Sequence, residues 1–169
     1  KMIKLIAAID PGRNGGICVI DKKNTIRYLN VFSSKKEDID KSLKEVSYLT
    51  NVLFLESAIS MPTNRTTCNN LFFLNGYITG YAEGLGVQVI SCSPRHWKNC
   101  MRLSRDKDES IIKAMELFNI EKELLSYPKY SRDGLAEALL LGYYAFHYFP
   151  FYPEKDQIDL WKEIVSQYE

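Results

Sequence analysis

The chain has 169 residues, of which 46% are hydrophobic and 25% charged, and its formal net charge is +1. That length and composition suit one soluble globular domain with a full core, without internal repeats or low-complexity segments. No run is apolar for long enough to span a bilayer and the N-terminus has no signal-peptide pattern. The near-neutral charge leaves any nucleic-acid reading to the local distribution of bases.

The opening stretch "LIAAIDPGRNGGICVID" pairs an apolar run with turn chemistry. Leu5 to Ile9 is apolar on both faces, as in a fully buried strand. Pro11, Gly12, Asn14 and Gly15 form a turn, and Ile17, Val19 and Ile20 begin the returning strand. Three strands are expected in the first third, over 3–10, 16–21 and 25–32. Ser33 and Ser34 offer a cap for a polar-faced helix over 35–48.

"NVLFLES" then reads as a second buried strand that ends in a carboxylate, Glu56. A loop, "SAISMPTNRTTCNN", leads to a long apolar helix over 69–83, closed by Gly84 and Gly86. "VQVISCS" is a fifth strand, and "PRHWKNCMRL" a short helix or turn. The charged break "SRDKDES" starts a helix through Phe118. "NIEKELLSYPKYSR" reads as a loop before the last core helix over 133–149. A proline-punctuated link, "PFYPEKD", precedes a terminal amphipathic helix with Ile158, Trp161, Ile164, Val165 and Tyr168 on one face. Residues 1–150 and the terminal link and helix, 151–169, are expected to form one domain. Strands in a meander followed by strands alternating with helices is not the strict βαβ order of a dinucleotide-binding fold.

The cysteines are Cys18, Cys68, Cys92 and Cys100. None form a close pair of zinc-ligand type, so reduced thiols in an intracellular protein are expected. His96 and His147 sit beside tryptophan and phenylalanine, which points to helix packing.

Four acids carry the chemistry. Asp10 and Glu56 end the first and fourth strands; if those strands are neighbours, both acids leave the same sheet edge. Asp133 and Glu137 are four apart and share a helical face. Glu137 is flanked by Ala136, Ala138, Leu139 and Leu140 in an otherwise buried helix. Asp10 alone could simply cap its turn by accepting backbone amides. Four gathered carboxylates instead need a cation, because like charges packed together are unstable without one. Mg²⁺ binds through few carboxylates and keeps water and phosphate oxygens, and two metals clamp the attacking and leaving oxygens of a phosphodiester.

These motifs resemble the RuvC-type Holliday junction resolvases of the RNase H-like nuclease superfamily, in particular its compact phage-type branch. The resemblance spans about 3–144 and rests on "IDPG", "FLES", "LNGYITG", "SPRHWK", "RDKDES" and "DGLAEALLLG" in this order. It implies an α/β fold with a five-stranded mixed sheet, three strands antiparallel and the rest parallel, and helices on both faces. It implies a magnesium-dependent endonuclease that cuts four-way DNA junctions, with two Mg²⁺ per site and Mn²⁺ as a substitute. Metal ligands would be Asp10, Glu56, Asp133 and Glu137, with Lys107 near the scissile phosphate. The family's third acid falls here on Gly134, and the nearest acid stands one residue earlier, at Asp133.

Arg13, Arg65, Arg95, Lys98, Arg102, Arg105 and Lys107 lie on or near loops leaving the active edge. Each alone reads as a solvated surface charge; as a set they form a phosphate track. The loop with Met61 and Asn64 resembles the element that enters the junction centre in relatives. Gly76 and Gly80 allow either close packing of the long helix on its own sheet or, as the family implies, a homodimer contact with Phe73 and Tyr77. The implied location is the cytoplasm, that of the host if the gene is viral.

Three other functions share features with this pattern. An RNase H-like nuclease acting on flaps, forks or RNA–DNA hybrids would use the same acids, but paired nicking needs a dimer. A sugar-kinase or actin-like ATPase also begins with Asp-x-Gly, but needs a second such domain. A non-catalytic branch-binding protein would have no use for a full set of acids that repel phosphate.

Overall fold

The computed structural model describes residues 3–12, 14–58, 65–104 and 106–149, with the side chains of Arg65, Thr67 and Cys68 left aside. The elements run β1 (Leu5–Asp10), β2 (Gly15–Asp21), β3 (Ile26–Phe32), α1 (Lys36–Ser47), β4 (Val52–Glu56), α2 (Arg65–Gly84), β5 (Gln88–Cys92), α3 (Pro94–Cys100), α4 (Lys107–Phe118), α5 (Glu121–Ser126), a 3₁₀ turn (Lys129–Ser131) and α6 (Arg132–His147). The expected terminal helix, with Arg13, Met61, Asn64 and Arg105, lies outside the described residues.

The five strands form one sheet in the order β3-β2-β1-β4-β5. The first three pair antiparallel, and β4 pairs parallel with both β1 and β5. The continuous apolar runs of β1 and β4 follow from their central place, because both faces of each are covered. Ile6, Ala8 and Phe54 point into a core shared with α6, Trp97 and α4. Ala7, Ile9, Leu53 and Leu55 point the other way, against Ile39, Leu43 and Val46 of α1 and Ile78 and Ala82 of α2. The two-residue period of a strand divides one apolar run between two cores.

Three segments differ from the sequence expectation. Helix α2 begins a full turn earlier, at Arg65. Thr66, Thr67, Asn69 and Asn70 are weak helix formers, but extending an existing helix gains a hydrogen bond per residue and offsets a few tenths of a kcal/mol each. The stretch after Phe118 is not a plain loop: it holds α5 and the 3₁₀ turn. Leu124 is wholly buried and anchors α5, and one buried residue in six gives no readable periodicity. His147 is exposed and packs on its own helix rather than between helices, and His96 is exposed but keeps one contact across helices. His96 meets the ring of Tyr144 edge-on, and His147 lies 4.2 Å from the ring centre of Tyr143.

Helix α6 crosses the sheet closely. Its Gly134 forms an isolated parallel bridge with Gly15. A Cβ on Gly134 would lie 2.2 Å from the carbonyl oxygen of Asn14, and one on Gly16 would lie 2.3 Å from the carbonyl oxygen of Gly134. The thiol of Cys18 donates to the carbonyl of Ala138, one turn further along. Small residues thus seat the helix against the strand, and that seating brings Glu137 to the end of β1. Cys18, Cys92 and Cys100 are free thiols. No described helix is long and apolar enough to cross a membrane.

Candidate active site

The parallel pairing of β1 with β4 aligns Ile9 with Leu55, so the next residues, Asp10 and Glu56, leave the sheet side by side at the carboxyl end of both strands. Glu137 joins them from α6. Ligand oxygens of these three residues lie within 4.8 Å of one another, and each residue is partly buried. Asp10 also accepts a bond from the backbone N–H of Gly12 at 3.2 Å. Turn capping and membership of the acid cluster are therefore both features of this one side chain.

Two consecutive residues of α3 reach into the cluster. Lys98 donates from Nζ to Glu137 Oε1 at 2.7 Å, and Trp97 donates from its indole nitrogen to Glu56 Oε2 at 2.8 Å. Lys98 therefore sits inside the acid cluster and is not simply an outward phosphate contact. Trp97 is a site residue to which no sequence motif gives a role. Its sequence signal is an aromatic residue beside a lysine just after a strand, which core packing explains equally well.

The electrostatics follow from burial. The Asp10 carboxyl is held well above the usual carboxylate range, first by burial, then by the charges of Glu56 and Glu137; the Gly12 amide and Lys98 partly offset this. Glu56 is pushed up to about 7, chiefly by burial. Lys98 and the Trp97 N–H pull it down, while Glu137 pushes it up. Removing charged groups from water without full compensation raises their affinity for a proton or another cation. This donor set is all oxygen, anionic and partly desolvated, which fits a hard divalent ion such as Mg²⁺.

Asp133 stands apart from the three converging acids. It pairs with Lys107 at the start of α4, and that contact raises the lysine's pKa. Both residues still line the same pocket, of about 360 Å³, with Asp10, Gly12, Asn14, Lys98, Tyr130 and Glu137. Tyr130, a pocket residue absent from the sequence reading, rides on the 3₁₀ turn. The Arg132 guanidinium steadies that region by donating to the carbonyls of Tyr127 and Leu125. Arg95 is exposed on α3. Arg102 lines a different groove, with Met101, Glu109 and Ile112, and is not brought to the acids.

On the opposite face of the sheet, α2 exposes Phe73 at 78% and Phe72 at 49%. A Cβ added at Gly76 or Gly80 would meet nothing within 4 Å. These glycines therefore do not serve close packing of α2 on its own sheet. Tyr77 turns toward α1 and donates to Asp40.

The architecture is an RNase H-like fold: a five-stranded mixed sheet flanked by helices, with carboxylates converging at the ends of β1 and β4. No family model and no curated protein matches the chain. Among solved structures, the fold is similar to that of Thermus thermophilus RuvC, with a TM-score of 0.62 and 18% identity over 83% of this chain and 95% of that one. It is similar also to T. thermophilus RuvC in complex with Holliday junction substrate, with a TM-score of 0.60 and 18% identity over 84% and 94% of the two chains. The chain thus has the RuvC-type form of the RNase H-like fold.

Proposed function

We propose that this protein is a structure-specific endonuclease that resolves four-way DNA junctions by paired, metal-dependent phosphodiester hydrolysis in the cytoplasm. The observation that carries this reading is the convergence of Asp10, Glu56 and Glu137 within 4.8 Å at the carboxyl edge of a RuvC-type fold. The match to a structure described as RuvC with Holliday junction substrate supports the choice of substrate.

Asp10, Glu56 and Glu137 would hold divalent metal, Mg²⁺ or Mn²⁺, with Asp133 at the margin of the site. The bound ions supply activation of water and charge neutralisation at the phosphodiester. The chain's own residues supply the rest. Lys107, exposed at the pocket mouth and held by Asp133, presents a fixed positive charge where a phosphate enters. Lys98 keeps the acid cluster partly neutralised. Arg95 extends the positive surface along α3, and Arg13, Arg65 and Arg105 are candidates to continue it. Met61 and Asn64, in the loop whose sequence resembles the element that enters the junction centre in relatives, are candidates for the same role here.

Two nicks at symmetry-related points require two sites, so a homodimer is part of the proposal. The exposed face of α2 with Phe73, Gly76 and Gly80 is the surface that would form it, with Tyr77 at its border.

The test is cleavage of a synthetic four-way junction with Mg²⁺, beside a linear duplex, a flap and an RNA–DNA hybrid. Junction cutting in symmetric pairs, lost in Asp10→Asn and Glu56→Gln proteins that still bind the junction, is the expected result. Preferential cutting of the flap or hybrid would move the assignment to another RNase H-like nuclease.

A further inference from the structure

Trp97 is fully buried, at 0% exposure, in the core formed by β4, α4 and α6. An indole carries one N–H, and burying it without an acceptor would cost desolvation energy that a phenylalanine in the same place would avoid. That N–H is directed at Glu56 Oε2, 2.8 Å away. The next residue, Lys98, holds Glu137 at 2.7 Å. One turn of α3 therefore fixes two acids that come from separate elements, β4 and α6.

We propose that Trp97 is a positioning residue for the metal site: its indole N–H fixes the rotamer of Glu56 and leaves Oε1 for the cation. This rests on the reading of the acid cluster as a metal site. The donor is set by core packing, so its direction is rigid, unlike that of an exposed side chain. A carboxylate on its own rotates freely between several ligand geometries. Anchoring one oxygen removes that freedom before the ion arrives, and partners of this kind typically contribute 10- to 100-fold to metal affinity. The alternative is that the indole only fills space, with Glu56 a convenient acceptor.

The two roles separate by changing the N–H and nothing else. In the full chain carrying Trp161→Phe, Trp97 is the remaining tryptophan. It can then be replaced by benzothienylalanine, which has sulfur in place of the N–H and nearly the same shape. Binding of Mn²⁺ is measured by the loss of the free-ion signal in electron paramagnetic resonance, without DNA. The expected result is a dissociation constant about tenfold or more higher in the isostere, measured at a temperature where the metal-free protein is fully folded. Trp97→Phe should weaken binding in the same way. In a Glu56→Ala background the isostere should cause no further loss.

Unchanged Mn²⁺ affinity in the isostere would overturn the positioning role while leaving the metal site intact. An equal loss in the Glu56→Ala background would overturn it too, because the effect would not pass through Glu56. If the wild-type protein binds no Mn²⁺, the metal-site reading fails and this role fails with it.

Discussion

Lys98 Nζ lies 2.7 Å from Glu137 Oε1, in contact with a cluster of three acids. Its side chain is 21% exposed and that of Glu137 13%, so solvent screens the pair only in part. A charged hydrogen bond of this kind contributes about 2 kcal/mol. Lys98→Met should therefore lower the thermal midpoint of the metal-free protein at pH 8 by roughly 5 °C. Millimolar Mg²⁺ should recover most of that loss, because it supplies the missing positive charge. Calorimetry with and without the ion checks both halves. A midpoint unmoved by the substitution would show that the lysine is incidental to the cluster.

The pH dependence follows from Glu56 and Asp10. Glu56 titrates near 4.5 in an ordinary environment and at about 7 in the fold. Between those values the folded protein binds a proton that the unfolded chain has released, so stability falls as pH rises through this window. Asp10 shifts the same way. Without metal, the midpoint should drop between pH 5 and pH 7.5, and Glu56→Gln should flatten the slope. Divalent ions should stabilise more at pH 8 than at pH 5.5, where protons compete for the same oxygens. Thermal scans across this range are the measurement; a flat metal-free profile would contradict the desolvated acid cluster.

Glu137 and Asp133 should differ in cleavage assays. Glu137 belongs to the converging triad, whereas Asp133 is paired with Lys107. Glu137→Gln is expected to abolish cutting, and Asp133→Asn to reduce it by a smaller factor. Lys107→Met should reduce it as well, and the double change should cost less than the product of the two. Equal tolerance of Glu137→Gln and Asp133→Asn would remove α6 from the active site.

Placing an acid at position 134, onto which the family resemblance maps a third acid, should damage the protein rather than improve it. A Cβ there would meet the Asn14 carbonyl oxygen at 2.2 Å and the Gly15 backbone at 2.7 Å. Backbone cannot move aside as a flexible side chain can, so overpacking should cost about 3 kcal/mol, the upper end of the usual range. Gly134→Asp and Gly134→Ala should therefore destabilise by similar amounts, because the clash is with the first side-chain carbon. Chemical denaturation of both proteins tests this. A stable Gly134→Asp protein would mean that α6 can lift away from β2.

The exposed face of α2 makes the opposite prediction for glycine. Nothing lies within 4 Å of a Cβ at Gly76 or Gly80. Each substitution by leucine should raise helix stability by up to about 1 kcal/mol, since glycine is a poor helix former. The same substitutions should weaken self-association and paired cutting. Sedimentation at micromolar concentration reads the first effect, and counting nicks per junction reads the second. A wild-type protein that stays monomeric even on a four-way junction would defeat the paired-cut mechanism.

Sequence alone determined much of the architecture, because local pattern and fold agree along most of the chain. The doubly apolar runs at Leu5–Ile9 and Val52–Leu55 required central strands, and turn residues at 11–15 required a hairpin. Carboxylates ending those two runs, with Glu137 on an alanine-flanked helix, marked the residues that the fold brings within 4.8 Å. What tertiary structure decided are contacts between elements distant in sequence. Trp97 and Glu56 are 41 residues apart, Lys98 and Glu137 are 39 apart, and no spacing rule links them. Only the packing of α3 at the sheet edge turns a tryptophan that reads as core into a donor to a carboxylate, and a basic residue into a counter-ion. The glycine at 134 has the same kind of origin. Position 134 must be glycine because β2 passes within backbone contact of α6, and that closeness exists only once both are folded.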